Sequence, residues 1–170
     1  AKSPAKYLRK MVIDNAEGRG LFTPENREEY LQRIDHEVAV FERCGYVEYL
    51  LGVTKMTKEM SLLGISYFAG RGVFPASLVF YCLRITNIDP IKHDLMFARF
   101  MPEDNPKFIE VELLIDRLLR PSHLRDLEQA IACDENEGHS VTLVTSNIAG
   151  LISKATHKIW DNCGLMLTDL

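Results

Sequence analysis

From Phe108 to Ile115 every second residue is apolar: Ile109, Val111, Leu113 and Ile115 alternate with Glu110, Glu112 and Leu114. A period of two is the signature of a strand with one covered face. It sets Glu110 and Glu112 on the same side, with Cα atoms about 6.5–7 Å apart. A different period governs residues 24–44. There Tyr30, Ile34, Val38 and Phe41 fall at helical spacing, behind Thr23 as N-cap and Pro24 as first helical residue. Gly45 reads as the left-handed stop of that helix. A chain carrying both periods mixes strands with helices, so the class is α+β or α/β.

The rest of the chain is read in the same way. Tyr46 to Val53 is aromatic and β-branched and reads as extended. Lys55 to Leu63 reads as a helix with Met56, Met60 and Leu63 on one face and Gly64 as its stop. Ile65 to Phe68 reads as a buried strand, Ala69 to Pro75 as a glycine turn, and Ala76 to Arg84 as helix. Asn87 to Pro90 is a turn by composition and Asp94 to Phe100 a short helix. Beyond the glutamate strand, Asp116 to Cys133 reads as mostly helical and Asp134 to His139 as a polar loop. Ser140 to Thr145 reads as a strand, Asn147 to Trp160 as an amphipathic helix and Gly164 to Thr168 as a last strand.

With 170 residues, 46% hydrophobic and 26% charged, the expectation is a single domain able to bury a core. No apolar run reaches the length of a membrane span, and no signal-type segment follows the basic stretch from Ala1 to Lys10. The four cysteines form no Cys-x-x-Cys pair, which argues against a zinc ribbon, and reduced thiols imply a cytoplasmic protein. A formal charge of −4 is not that of a chain that grips nucleic acid by charge alone.

Two features are able to carry chemistry. In Ile65-Ser-Tyr-Phe-Ala-Gly-Arg-Gly72 a strand runs into a glycine turn ahead of a helix. Backbone N–H groups in such a turn can approach phosphate oxygens, and Arg71 can add a bidentate contact. The plain alternative is a turn and no more. The second feature is the glutamate pair. Two carboxylates on one face can share Mg²⁺ ions held about 3.5–4 Å apart; they are equally what the solvent face of a half-covered sheet presents. No two histidines show ligand spacing, and no Walker-type loop or Gly-x-Ser-x-Gly elbow occurs.

From Gly70 to Met101 the chain resembles a known family. The run Gly-Arg-Gly-Val-Phe-Pro-Ala-Ser-Leu-Val-Phe-Tyr-Cys-Leu, then Ile85-Thr-Asn-Ile-Asp-Pro90, then Leu95-Met-Phe-Ala-Arg-Phe-Met101, is similar to the alpha subunit of bacterial DNA polymerase III, the family C replicative polymerases. That family reads Gly-Pro-Gly-Arg-Gly-Ser-Ala-Ala-Gly-Ser, then Ile-Thr-Asp-Ile-Asp-Pro, then Leu-Leu-Phe-Glu-Arg-Phe-Leu. The Tyr-Cys-Leu variant resembles the Bacteroidetes form. Upstream, Arg33-Ile34, Glu37, Gly45-Tyr46 and Tyr49-Leu-Leu look like the family's Glu-Arg-Leu-x-x-Glu-Leu and Gly-Phe-x-x-Tyr-Phe-Leu stretches. Downstream, Glu110 and Glu112 fall where the family has its metal-binding aspartates, and Asp169 is a loose match to the third carboxylate.

The resemblance implies a nucleotidyltransferase-type palm: α+β, a small mixed sheet with helices packed on one side. It divides the chain into an N-terminal segment (1–22), the best match (23–115), a short replacement for the thumb (116–139) and a final palm-like segment (140–170). The thumb is expected to be missing and the palm truncated. It implies two-metal nucleotidyl transfer in DNA replication, with Mg²⁺ on Glu110, Glu112 and Asp169. Gly70, Arg71, Gly72 and Ser77 would hold phosphate or nucleotide, and a deoxynucleoside triphosphate, DNA or a protein would be the partner. This chain departs from the pattern. Val73 stands where the family's triphosphate-contacting serine is, Pro75 removes a backbone N–H from the turn, and both aspartates are glutamates. An added methylene moves a carboxylate by about 1.5 Å, and a misplacement near 1 Å costs on the order of 100-fold in rate. The expectation is a degenerate palm without polymerase activity, serving as a binding or regulatory module. The alternatives are a metal-dependent nucleotidyl transferase or nucleotide binder, and a remnant with no function of its own.

Overall fold

A computed structural model describes residues 3–69, 72–115, 120–130, 141–145, 155–161 and 164–169. Its close contacts gather into two compact units, Ala1–Val47 with Gly70–Phe108, and Glu48–Ala69 with Ile109–Leu170. Both helices and a mixed sheet are present, an α+β composition.

The first unit is helical and built around aromatic rings. Helix α1 (Pro4–Gly18) starts with proline at its first position and buries Leu8, Val12 and Ala16, four residues apart. That spacing was available in the sequence, in a segment for which no element was expected. Helix α2 (Arg27–Arg43) buries Tyr30, Ile34, Val38 and Phe41, the stripe read from the sequence. It begins three residues later than expected. Thr23 and Asn26 bond each other reciprocally, Thr23 N–H to Asn26 Oδ1 at 2.7 Å and Asn26 N–H to Thr23 Oγ1 at 3.2 Å. That closes a separate turn over Pro24 and leaves Asn26 as the N-cap. Gly45 stops the helix at φ 71°.

The expected helix over 76–84 is reduced to α4 (Leu78–Cys82), and Asp94–Phe100 to a 3-10 turn at Phe97–Arg99. Asp89 shapes the turn between them. It accepts Ile91 N–H at 2.9 Å on Oδ1 and the Tyr30 hydroxyl at 2.6 Å on Oδ2. The rings of Phe41, Tyr46, Phe74, Phe80, Phe97 and Phe100 form the core. Centroids lie 5.2 Å apart for Phe41–Tyr46, 5.6 Å for Phe74–Phe80 and 5.1 Å for Phe80–Phe100. Cys82 is buried beside them, and burial pushes its thiol up to about 12.

The second unit holds the sheet. Helix α3 runs from Val47 to Leu62, so Tyr46–Val53 is helical after Tyr46 rather than extended. Tyr49, Leu50, Val53, Met56 and Met60 fall at helical spacing and are buried, which overrides the local β preference. Gly64 ends the turn at φ 72°. Strand β1 is only Tyr67–Phe68; Ile65 is buried but lies outside it. The strand expected over 108–115 is β2, Glu112–Ile115. Buried Val111, Leu113 and Ile115 carry the period-two pattern, with Glu110 exposed and Glu112 and Leu114 half-buried.

The sheet order is β1-β2-β3-β4-β5. β3 (Val141–Thr145) runs parallel to β2, Leu113 opposite Leu143, and α5 (Pro121–Ala130) lies in the sequence between them. The β1–β2, β3–β4 and β4–β5 pairs are antiparallel. Residues 155–160, expected at the end of a helix, are in β4 (Ala155–Asp161). β4 is paired on both sides, and those two ladders override a helical periodicity that sequence alone favoured. Residues 146–154 and the polar loop at 134–139 lie outside the described residues. β5 runs Gly164–Asp169, one residue beyond the expected strand. Among the described residues no helix is long and apolar enough to cross a membrane.

Phe41→Ala removes the ring that meets Tyr46, Phe80, Phe97 and Phe100. It should lower stability to urea by about 3–5 kcal/mol, the range for truncating a buried phenylalanine.

Candidate functional site

In the second unit the acidic pair flanks a fixed peptide. Val111 is buried, with exposed Glu110 before it and half-buried Glu112, the first residue of β2, after it. Glu112 pairs in register with Thr142, while Leu113 and Leu143 pair on the covered face. The N–H of Val111 donates to Tyr49 Oη at 2.7 Å, and its carbonyl accepts Thr142 N–H at 3.0 Å. Burial drives the Tyr49 hydroxyl far above its ordinary range, and the Glu110 charge adds to the rise. The phenol is therefore neutral at any physiological pH.

Carboxylate oxygens are the donors Mg²⁺ takes, commonly one or two of them completed by water or phosphate. Among the described residues no group of three or more His, Cys, Asp and Glu side chains is placed to hold a metal. Asp169 lies in β5, three strands from β2 in the sheet order. Through Ala155 and Thr145 it is level with Ile115, about 10 Å along the strand from Glu112.

In the first unit, Gly70 and Arg71 lie outside the described residues. Gly72 has φ 72°, a left-handed conformation that favours glycine. Phe74–Ala76 then form one 3-10 turn with Pro75 in its first positions, and Phe74 and Ala76 are buried. Ser77 is fully buried. Its hydroxyl donates to Glu37 Oε1 at 2.6 Å and accepts Phe80 N–H at 3.1 Å, capping α4.

Glu37 is the residue this arrangement turns on. It is wholly buried and accepts from Ser77 Oγ, from Leu78 N–H at 2.8 Å and from Val79 N–H at 3.1 Å. Arg33 Nε donates to its Oε2 at 2.7 Å, and Arg33 Nη2 also donates to the carbonyls of Ala76 and Leu95 at 2.8 and 2.9 Å. Burial raises the Glu37 carboxyl from its ordinary range, against the downward pull of Ser77, Arg33 and the two amides. The family resemblance included Arg33 and Glu37 but gave them no role. The signal was a carboxylate at position 37 inside the apolar stripe of Ile34, Val38 and Phe41, with a cation one turn earlier.

Arg33→Ala leaves the Glu37 carboxylate without its counter-charge and the Ala76 and Leu95 carbonyls without their donor. Stability to urea should fall by about 3–5 kcal/mol, as when one partner of a buried ion pair is removed. A loss under about 1 kcal/mol, the usual worth of an exposed pair, would mean that water substitutes freely for the guanidinium.

Comparison with known proteins bears on both parts. A family model described as the bacterial DNA polymerase III alpha NTPase domain matches residues 6–116, which include the glycine turn and both glutamates. DNA polymerase III subunit alpha of Thermotoga maritima is 31% identical over 128 residues, 75% of this chain and 14% of that protein. The subunit from Streptococcus pyogenes serotype M3 is 29% identical over 149 residues, 88% of this chain and 14% of its own length. That of Halalkalibacterium halodurans is 35% identical over 112 residues, 66% of this chain and 10% of its own length. The chain thus spans about one seventh of the first relatives' length. With the family model covering well over half of it, the chain belongs to the bacterial DNA polymerase III alpha NTPase domain family.

Proposed function

We propose that this chain is a palm-like domain of the polymerase III alpha type whose nucleotidyl-transfer site is degenerate. It acts in the cytoplasm as a binding or regulatory module connected with DNA replication. The observation that carries this reading is the side-chain content of the turn. Across residues 72–77 the only polar side chain is Ser77, and that hydroxyl is buried between Glu37 and the first turn of α4. Where the family places a serine against the triphosphate, this chain has Val73, followed by Phe74 packed into the aromatic core. A turn that packs instead of donating has lost part of what an incoming nucleotide would meet, and the parts of such a site act as a unit. A formal charge of −4 also gives little of the phosphate attraction on which DNA affinity rests. A protein partner fits the module reading best.

A second reading is supported by the spacing of Glu110 and Glu112, one on each side of buried Val111 in the sequence. In it the two glutamates hold Mg²⁺, and the backbone of Gly70, Arg71 and Gly72 holds phosphate of a deoxynucleoside triphosphate. Bound there, the ion would neutralise triphosphate charge and activate an attacking hydroxyl.

Calorimetry separates the two. Titrating the chain with a deoxynucleoside triphosphate in Mg²⁺ should give no binding heat up to millimolar nucleotide. Metal-dependent nucleotide binding that weakens in both Glu110→Ala and Glu112→Ala would overturn the degenerate reading in favour of the second.

A further inference from the structure

The peptide between the two glutamates is held at both ends. The Val111 carbonyl continues the parallel ladder to β3 through Thr142. The Val111 N–H does something a sheet does not supply. β2 begins one residue later, at Glu112, so the Val111 N–H lies just ahead of the strand. A helix side chain serves instead: Tyr49 Oη, at 2.7 Å. Tyr49 is 1% exposed and Val111 fully buried, so water has no access to replace the hydroxyl. A tyrosine has two rotatable side-chain bonds and a rigid ring, and packing of the ring in α3 fixes where its oxygen stands.

We infer that Tyr49 is a positioning residue for Glu110 and Glu112: its hydroxyl on α3 sets the backbone from which both carboxylates project, and so their spacing at a divalent cation. This rests on the second reading above only in so far as the pair holds a cation; it requires no nucleotidyl transfer. The role differs from ordinary core packing because the ring alone, without its oxygen, would fill the same volume and leave the Val111 N–H without an acceptor.

The test is a Mn²⁺ titration of the whole chain, followed by the electron paramagnetic resonance of the free ion. The variants are Tyr49→Phe, Thr54→Val and Glu112→Ala. Thr54 is the control for lost structure: it is buried on the same helix and its hydroxyl donates to Leu50 O at 2.9 Å, so Thr54→Val also removes one buried hydrogen bond. Tyr49→Phe should raise the Mn²⁺ Kd about tenfold, the low end of what outer-shell partners contribute. Thr54→Val should leave the Kd at the wild-type value despite a similar fall in Tm. Should Tyr49→Phe fail to fold, 3-fluorotyrosine at position 49 keeps the ring and weakens the acceptor, and should give an intermediate Kd. Wild-type affinity in the position-49 variant, or a change no larger than in Thr54→Val, overturns the inference alone. A wild-type chain that takes no Mn²⁺ at millimolar ion, or a Glu112→Ala variant that binds it equally well, removes the cation reading and this inference with it.

Discussion

A carboxylate with no water around it organises the first unit. Glu37 reaches the interior because four donors meet it there: the Arg33 guanidinium, the Ser77 hydroxyl and the first amides of α4. Each of those donors comes at a cost of desolvation that only a full set of partners offsets. The set is specific in direction. It aligns α2 with α4 and fixes residues 76–79, so the segment after Gly72 has one position from which to enter the core. Phe74 then stacks on Phe80, and the aromatic cluster closes over the turn.

The second unit uses the same device with a neutral group. Tyr49 extends from α3 to the backbone N–H of Val111, just ahead of β2. In both cases a buried polar side chain from a helix fixes a short irregular segment beside a feature that bears on chemistry: the glycine turn in one unit, the acidic pair in the other. A helix is the natural donor of such an anchor because its own backbone is already satisfied and its side chains are held by packing.

Much of the frame was legible one residue at a time. The apolar stripe of α2, the stops at Gly45 and Gly64 and the alternation through Val111, Leu113 and Ile115 follow from period and from positive φ at glycine. The errors have a common cause. Val47–Val53 carries residues that suit a strand, but burial of Tyr49, Leu50 and Val53 with Met56 and Met60 makes it helical. Residues 155–160 carry residues that suit a helix face, but two neighbouring strands pair with them. Local preference differs by fractions of a kcal/mol per residue, whereas burying one large apolar side chain contributes about 1.5–3 kcal/mol.

The candidate site divides along the same line. By itself the sequence determined the family and the alternation of Val111, Leu113 and Ile115, because each is a statement about residue type and spacing along one chain. Only the tertiary structure decided that Ser77 is a buried cap instead of an open hydroxyl, that Glu37 is held by Arg33, and that Tyr49 anchors Val111 across 62 positions of sequence. It also decided that β5, which carries Asp169, is three strands from β2 in the sheet. The physical reason is that a hydrogen bond or a strand pairing depends on which groups meet in space. Periodicity fixes the side on which a residue projects; only long-range packing fixes what it meets there.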